Sequence, residues 1–223
     1  MESFLAFPLE YIPYVIITLM IAFTVHEFAH AYVAYKFGDS TAKDQGRLTL
    51  SPLAHLDPFG TILIFIAGFG WAKPVPVNRY YFKNPRLAGI LVSIAGPLSN
   101  LVIAFIGMAM FAVLVSTNVL GFLPGYMVEG LGQFFTILIN LNILLFIFNL
   151  LPLPPLDGYR IIQDLVSANT RAKMTQYENY AIVIFLILVI TPLDQYTIHP
   201  LINNGMEIIL TLFNLILSPF IAK

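Results

Sequence analysis

The sequence predicts an all-α membrane protein with about five transmembrane helices, a re-entrant segment and a short β-hairpin. Two observations concern composition: 58% of the 223 residues are hydrophobic and only 10% are charged, whereas a soluble domain has about 25% charged residues. The third is that the apolar residues form runs of about 20, the length a helix needs to cross a bilayer. We expect a single domain over residues 1–223, with a core at about 11–160 and accessory helices at about 178–222.

The expected spans follow from these runs. Four are long enough to cross a bilayer: Tyr11–Tyr35, Leu87–Val119, Glu129–Leu153 and Leu201–Ala222. A fifth, Asn179–Leu193, is shorter and spans only with little tilt or in locally thin lipid. Because the N-terminus has no basic region of the kind that precedes a cleaved signal sequence, we expect the first run to be retained as a helix.

Lysine and arginine predict the orientation. Seven of the eleven lie between the first and second spans, and three more lie between the third and fourth. The loops around 121–126 and 194–200 contain none, and the last is Lys223. Five crossings with the N-terminus outside place all eleven in the cytoplasm, where positive loop residues concentrate. The prediction is a multi-pass protein of the plasma membrane.

Two shorter features lie in the loop between the first and second spans. The apolar stretch Phe59–Trp71 is too short to cross, and both its ends lie on one face, which predicts a re-entrant or interfacial segment. In the following W-A-K-P-V-P-V, Pro74 and Pro76 exclude helix. Val75 and Val77 keep their N–H groups on one edge, so the stretch predicts either a hairpin or an edge that binds an unwound peptide.

A metal-binding pattern lies inside the first span, in the sequence H-E-F-A-H. His26 and His30 are four residues apart, so a helix places both imidazoles on one face, where they can share a zinc ion. Glu27 lies beside them and can take a proton from a water molecule that the metal activates. Ionisable residues at the centre of a membrane helix cost about 2.5–3.5 kcal/mol or more each. Three ionisable residues within little more than one helical turn therefore predict a functional site.

The third zinc ligand is left open by spacing alone, since a catalytic zinc takes three protein ligands. His199 falls in an outer loop and Glu207 near the outer face. His55 and Asp57, in S-P-L-A-H-L-D-P-F-G, favour a structural role such as capping a loop. Asp157 ends N-L-L-P-L-P-P-L-D-G, whose prolines forbid regular helix. Irregular backbone at membrane depth must be buried or line a wet cavity, which favours Asp157; a solvated turn is the alternative.

The two motifs together resemble the site-2 protease family of intramembrane zinc metalloproteases. The sequence A-G-P-L-S-N, Ala95–Asn100, is similar to that family's middle core helix. G-W-A-K-P-V-P-V-N, Gly70–Asn78, is similar to its compact bacterial and archaeal branch, which has no PDZ or CBS module. The resemblance runs from about Thr24 to Arg160, with its motifs in order on successive core helices.

The resemblance implies a site, one cofactor and a substrate class. It implies one zinc ion held by His26, His30 and Asp157. Glu27 matches the family's catalytic glutamate, and Asn149 matches the asparagine that opens its last core motif. The implied substrate is a single transmembrane segment of another protein, such as an anti-sigma factor or a signal-peptide remnant.

Two asparagines at membrane depth are further candidates. Asn149 can hold the scissile carbonyl or the oxyanion, or it can form a hydrogen bond between helices. Asn100 follows a face of small residues, Gly89, Ser93 and Gly96, which favours helix packing, with contact to the substrate as the alternative.

The function predicted is that of an intramembrane zinc endopeptidase acting in regulated intramembrane proteolysis. The rival is a metal-binding transporter or an inactive scaffold. A transporter needs a path open to both faces, whereas both motifs here approach from one side. The absence of cysteine excludes disulfides and thiolate chemistry, and the lack of a basic patch argues against nucleic acid. The oligomeric state is left open.

Overall fold

The computed structural model describes residues 6–68 and 70–221. In this part of the chain the α-helices are α1 (Ile12–Lys36), α2 (Thr41–Asp44), α3 (Pro52–His55), α4 (Pro58–Ala67), α5 (Pro85–Ser116), α6 (Gly125–Asn149), α7 (Asp157–Leu165), α8 (Ala168–Ile190) and α9 (Asp194–Ile221). Five of them, α1, α5, α6, α8 and α9, are long and apolar enough to cross a membrane. The prediction of a multi-pass helical protein is therefore confirmed.

Helix ends follow local sequence signals. Gly38, at φ 101°, follows the end of α1, in the left-handed region where glycine has no Cβ penalty. The Ser167 side chain caps α8 by accepting a hydrogen bond from the backbone N–H of Thr170. This cap begins α8 well before the predicted span at Asn179, because polar turns continue the helix beyond its apolar part.

The last helix also differs from its predicted span. Helix α9 begins at Asp194 and contains Pro200, whereas the apolar run predicts a start at Leu201. Hydropathy locates only the part of a helix that faces lipid, so it missed the polar first turns of α9. The predicted end of this span, Ala222, lies outside the described residues.

Helices α1, α5 and α6 form the core of the bundle. Helix α5 packs against both α1 and α6. Small side chains at the contact allow this close approach: Ala22, Ala31 and Ala34 of α1 are completely buried, as are Ala88 and Ala104 of α5. The small-residue face predicted for α5 is therefore a packing face, and it lies opposite the H-E-F-A-H motif.

The predicted β-hairpin is wrong for the described residues, which contain no β-strand. A single antiparallel bridge joins Leu56 and Ala72, beside a 2.8 Å hydrogen bond from Lys73 N–H to the His55 carbonyl. The rest of the segment cannot extend this pairing, because prolines 74 and 76 have no N–H. The N–H of Val75 is donated to a side chain instead of a second strand.

The predicted re-entrant segment, Phe59–Trp71, is not supported either. Most of it is the ten-residue helix α4, capped by the Asp57 side chain, which accepts a 2.8 Å hydrogen bond from a backbone N–H of its first turn. Gly68, at φ 70°, ends the helix in the left-handed conformation. The buried side chain of Ile64 packs α4 against α1. Phe69 lies outside the described residues.

Candidate metal centre

The two histidines of α1 are oriented by helix α5. His26 Nδ1 donates a 2.7 Å hydrogen bond to the side-chain oxygen of Asn100. His30 Nδ1 donates a 2.7 Å hydrogen bond to the Val92 carbonyl. Because a carbonyl oxygen can only accept, both rings carry a proton on Nδ1, and in the neutral form of each ring Nε2 is then the unprotonated atom. Partners of this kind fix the tautomer and ring orientation of metal-binding histidines.

A carboxylate from another part of the chain completes the cluster. Helix α6 ends at Asn149, the prolines that follow prevent its continuation, and Asp157 begins α7. Its Oδ2 lies 3.3 Å from His26 Nε2 and 3.4 Å from His30 Nε2, and the two Nε2 atoms are 3.0 Å apart. A tetrahedral zinc with bonds of about 2.0–2.1 Å separates its ligand atoms by roughly 3.3 Å. The three atoms therefore match three corners of a zinc site.

The chemistry of these atoms also suits a cation. In their neutral forms the two rings face each other with the lone pairs of their Nε2 atoms, which are 3.0 Å apart. The Oδ2 atom of Asp157 is buried, accepts no hydrogen bond from the described residues, and faces the two Nε2 atoms. Within residues 6–68 and 70–221 this is the one group of three or more potential ligands whose atoms lie within 4.8 Å of one another. The donor set thus fits zinc, and the assignment of these residues as its ligands stays a prediction.

Gly96 of α5 makes room for the cluster. A Cβ atom at this position would lie 2.3 Å from His30 Nε2 and 2.6 Å from His26 Nε2, far inside van der Waals contact. Gly96 is the glycine of A-G-P-L-S-N, and the sequence analysis assigned it only to helix packing. The proximity of this backbone to the imidazoles could not be read from the motif.

Two buried asparagine side chains extend the hydrogen bonding of His26 into the core. Asn100 donates a 2.9 Å hydrogen bond to the Asn142 side chain, which donates a 2.8 Å hydrogen bond to the Leu138 carbonyl. Both asparagines are completely buried. The alternative predicted for Asn100, contact with the substrate, remains untested. Sequence reasoning gave Asn142 no role, although it is a polar residue at membrane depth.

Glu27 lies beside the cluster and has a backbone partner. Its side chain is buried, and Oε2 accepts a 2.8 Å hydrogen bond from the Val75 N–H. Val75 and Val77 were predicted to form an edge for an unwound peptide. In this structure the Val75 N–H faces Glu27 instead of an open edge, and that prediction remains untested.

The other predicted residues have hydrogen-bond or ion-pair partners of their own. Asn149 donates a 2.9 Å hydrogen bond to the Leu145 carbonyl of its own helix, so its role toward a substrate stays a prediction. His55 is completely buried, and its Nε2 bonds to the Thr49 carbonyl at 2.7 Å. His199 pairs with Asp194 at 3.4 Å. Among the described residues, neither histidine joins the three-residue group.

Comparison with known proteins shows which family the chain resembles. The family described as Peptidase family M50 matches residues 14–192. Over 222 residues the chain is 60% identical to YwhC of Bacillus subtilis, a candidate zinc metalloprotease, covering 99% of this chain and 100% of that protein. It is 32% identical over 179 residues to Rip2 of Mycobacterium tuberculosis, also a candidate zinc metalloprotease, covering 78% of this chain and 65% of that protein.

The match to MJ0611 of Methanocaldococcus jannaschii, another candidate zinc metalloprotease, is 32% identical over 142 residues and covers 63% of this chain and 64% of that one. No solved structure matches the chain significantly. The family match covers most of the chain, and the relative from Bacillus subtilis matches it along its whole length. The chain therefore belongs to peptidase family M50, the site-2 protease family, and is a multi-pass zinc metallopeptidase.

Proposed function

We propose that this metallopeptidase hydrolyses peptide bonds within the transmembrane segments of membrane-anchored proteins. The observation that carries the proposal is the depth of the His26, His30 and Asp157 cluster. His26 lies in the continuous spanning helix α1, ten residues before its last residue, Lys36, which corresponds to about 15 Å of helix. A peptide bond that reaches this cluster must itself be at membrane depth.

A cavity along the N-terminal half of α1 supports an apolar substrate, although no residue of the cluster lines it. It has a volume of about 520 Å³ and is lined mainly by apolar side chains of α1, α4, α6, α8 and α9. Its lining includes Phe23, three residues before His26, and Phe148, next to Asn149. Asn140 of α6 also lines it, and an amide at membrane depth suits the peptide groups that an unwound segment exposes. The apolar lining and the Asn140 amide therefore support a substrate that is apolar and locally unwound.

In the proposed hydrolysis, the metal and the residues of the chain have separate roles. When bound, zinc supplies Lewis-acid polarisation of water and of the scissile carbonyl. Glu27 takes the proton of the attacking water and returns it to the leaving amine. Asn149 has a second N–H besides the one donated to Leu145, and this N–H can stabilise charge on the carbonyl oxygen. Because helical carbonyls are held in i→i−4 hydrogen bonds, the substrate must first unwind.

Substrate and location follow the same proposal. The partner is a single transmembrane segment or a signal-peptide remnant, and the surrounding bilayer is the plasma membrane. The distribution of lysine and arginine supports an N-terminus outside and a metal centre reached from the cytoplasmic side. Helix α1 ends at the exposed Lys36, which suits the cytoplasmic interface.

The test is Glu27→Gln in cells that co-express single-span reporter proteins tagged at both ends. The wild type should produce new termini inside the reporter's transmembrane segment, mapped by mass spectrometry. The variant should keep its zinc and produce none, because the amide cannot accept the water's proton. New termini confined to soluble parts of the reporters would contradict the intramembrane site. Equal cleavage by the variant would remove Glu27 as the base.

Orientation is tested by single cysteines in this cysteine-free chain. Cysteines at Asn84 and Ser167 should react with a membrane-impermeant thiol reagent only from the cytoplasmic side. Cysteines at Leu123 and Tyr196 should react only from outside. Cytoplasmic labelling at Leu123 would refute the five-crossing arrangement.

A further inference from the structure

The segment Lys73–Asn78 crosses the buried side chain of Glu27. The N–H of Val75, in the middle of the segment, donates to Glu27 Oε2 at 2.8 Å. The residues on both sides, Pro74 and Pro76, have no N–H. Val75 therefore supplies the only backbone donor among these three residues, and this donor is directed at the carboxylate.

Two buried charged groups hold this segment in place from the loop that follows α1. Arg47 donates to the Lys73 carbonyl at 2.6 Å and to the Pro74 carbonyl at 3.2 Å. Asp39 accepts a 2.6 Å hydrogen bond from the N–H of Asn78. The segment is thus held at both ends, with the Val75 N–H between the two attachments.

The burial of these two charged side chains costs free energy, which indicates that Lys73–Asn78 must be held in one position. Asp39 is completely buried and Arg47 nearly so, and burying a charged side chain is expensive unless it is well paired. Within the described residues Arg47 has no carboxylate partner in hydrogen-bond or ion-pair contact, and the two contacts of its guanidinium are carbonyls of this one segment. The prolines add stiffness, because each fixes its own φ and restricts the residue before it.

We propose that Lys73–Asn78 is a positioning element, in which the Val75 N–H holds one oxygen of Glu27 and leaves the other to exchange the proton of the attacking water. The proposal rests on the hydrolase function proposed above. Within the described part of the chain, Oε1 of Glu27 receives no hydrogen bond. A carboxylate tied at one oxygen keeps a single orientation, and misplacement of a catalytic group by about 1 Å can cost about 10²-fold in rate. Val75 acts through Glu27 and is not itself a catalytic residue.

The first experiment reads the hydrogen bond without any activity. Exchange of the Val75 and Val77 amides is followed by NMR in detergent, with selective ¹⁵N-valine labelling of the metal-free protein. The Val77 N–H has no hydrogen-bond partner among the described residues, so it is the internal control. In the wild type, Val75 should exchange more slowly than Val77 by about tenfold or more, as expected for a hydrogen bond to a charged group. Glu27→Ala should remove this difference, and equal exchange rates in the wild type would overturn the proposal.

The second experiment compares Val75→Pro with Val77→Pro, which delete neighbouring backbone donors in the same segment. Purified protein is assayed in detergent with fluorescein-labelled β-casein as an unfolded probe, and zinc content and melting temperature are measured in parallel. Val75→Pro should lower kcat by at least about tenfold with KM and zinc content unchanged, and should lower kcat more than Val77→Pro, which deletes a donor without a partner among the described residues. Arg47→Gln should lower kcat less than Val75→Pro, since it loosens the segment and retains the donor.

The outcomes separate this inference from its alternatives. Unchanged kcat in a folded Val75→Pro variant would overturn it, as would a rise in KM alone, which would make the segment a substrate edge. If Val75→Pro does not fold, the first experiment tests the proposal by itself. It compares the exchange rates of the Val75 and Val77 amides in the wild type and in Glu27→Ala. If the wild type cleaves neither β-casein nor a transmembrane reporter, the proposed function fails, while the exchange result still stands on its own.

Discussion

Helices α1 and α8 both cross the membrane but are buried very differently. In the most apolar window of each span, 44% of the residues of the α1 span are buried inside the protein, against 6% in α8. The buried face of α1 includes His26, Glu27 and His30, whereas Phe185 is the one buried residue of α8. Protein packing is thus concentrated where ionisable groups must be kept from lipid.

The physical reason is that lipid is as apolar as leucine, so helices in a membrane gain no hydrophobic driving force by associating. Apolar faces such as those of α8 can remain against lipid at no cost. Polar groups cannot, because an unsatisfied donor or acceptor in hydrocarbon costs several kcal/mol. The comparison predicts that substitutions around α1 change zinc binding, and that substitutions in α8 do not.

The largest effect on zinc is expected for Asp157→Ala. Loss of one of three ligands leaves two imidazoles on one helix, so zinc affinity should fall by more than the roughly 10–100-fold typical of a lost outer partner. The measurement is zinc per protein after dialysis of detergent-purified variants against a weak chelator. His199→Ala is the control and should keep its zinc. Full occupancy in Asp157→Ala, with loss in His55→Ala, would move the third ligand to the loop before α4.

A smaller loss is expected for Gly96→Ala, which tests the packing around the ligands without removing one. The added methyl would lie 2.3 Å from His30 Nε2, so the imidazoles must shift, and zinc affinity should fall by about tenfold or more. Gly132→Ala, in α6, is the matched control, because its Cβ would meet nothing within 4 Å. Identical zinc affinities in the two variants would show that α5 does not shape the centre.

No change in zinc is expected for Phe185→Ala in α8. The buried ring packs against Phe148 of α6, but in a membrane its removal costs packing without the full transfer term of a soluble core. The loss of stability should therefore be below the 3–5 kcal/mol typical of Phe→Ala in soluble cores. Thermal unfolding in detergent measures it, with the half-exposed Ile187→Ala as control. Loss of zinc in Phe185→Ala would mean that the accessory helices support the metal centre directly.

Several features of the site could be predicted because they depend on spacing along one helix or on hydropathy. The four-residue separation of His26 and His30 places them on one face of any helix. The prolines before Asp157 rule out continuation of α6 whatever packs around them. The hairpin prediction failed because Pro74 and Pro76, in the loop before α5, have no N–H to donate to a ladder. The sequence shows which N–H groups exist in this segment, but it does not show which acceptor each one meets.

Local pattern alone therefore specifies the membrane class, the number of spanning helices and the residues suited to zinc. Helix packing supplies the contacts that join distant positions: Asn100 to His26 across 74 residues, Val92 to His30 across 62, and Val75 to Glu27 across 48. Hydropathy and periodicity describe single elements, whereas hydrogen bonds of about 2.9 Å depend on how those elements cross. For that reason the room beside Gly96 and the N–H directed at Glu27 emerge only when the helices and the loop are assembled.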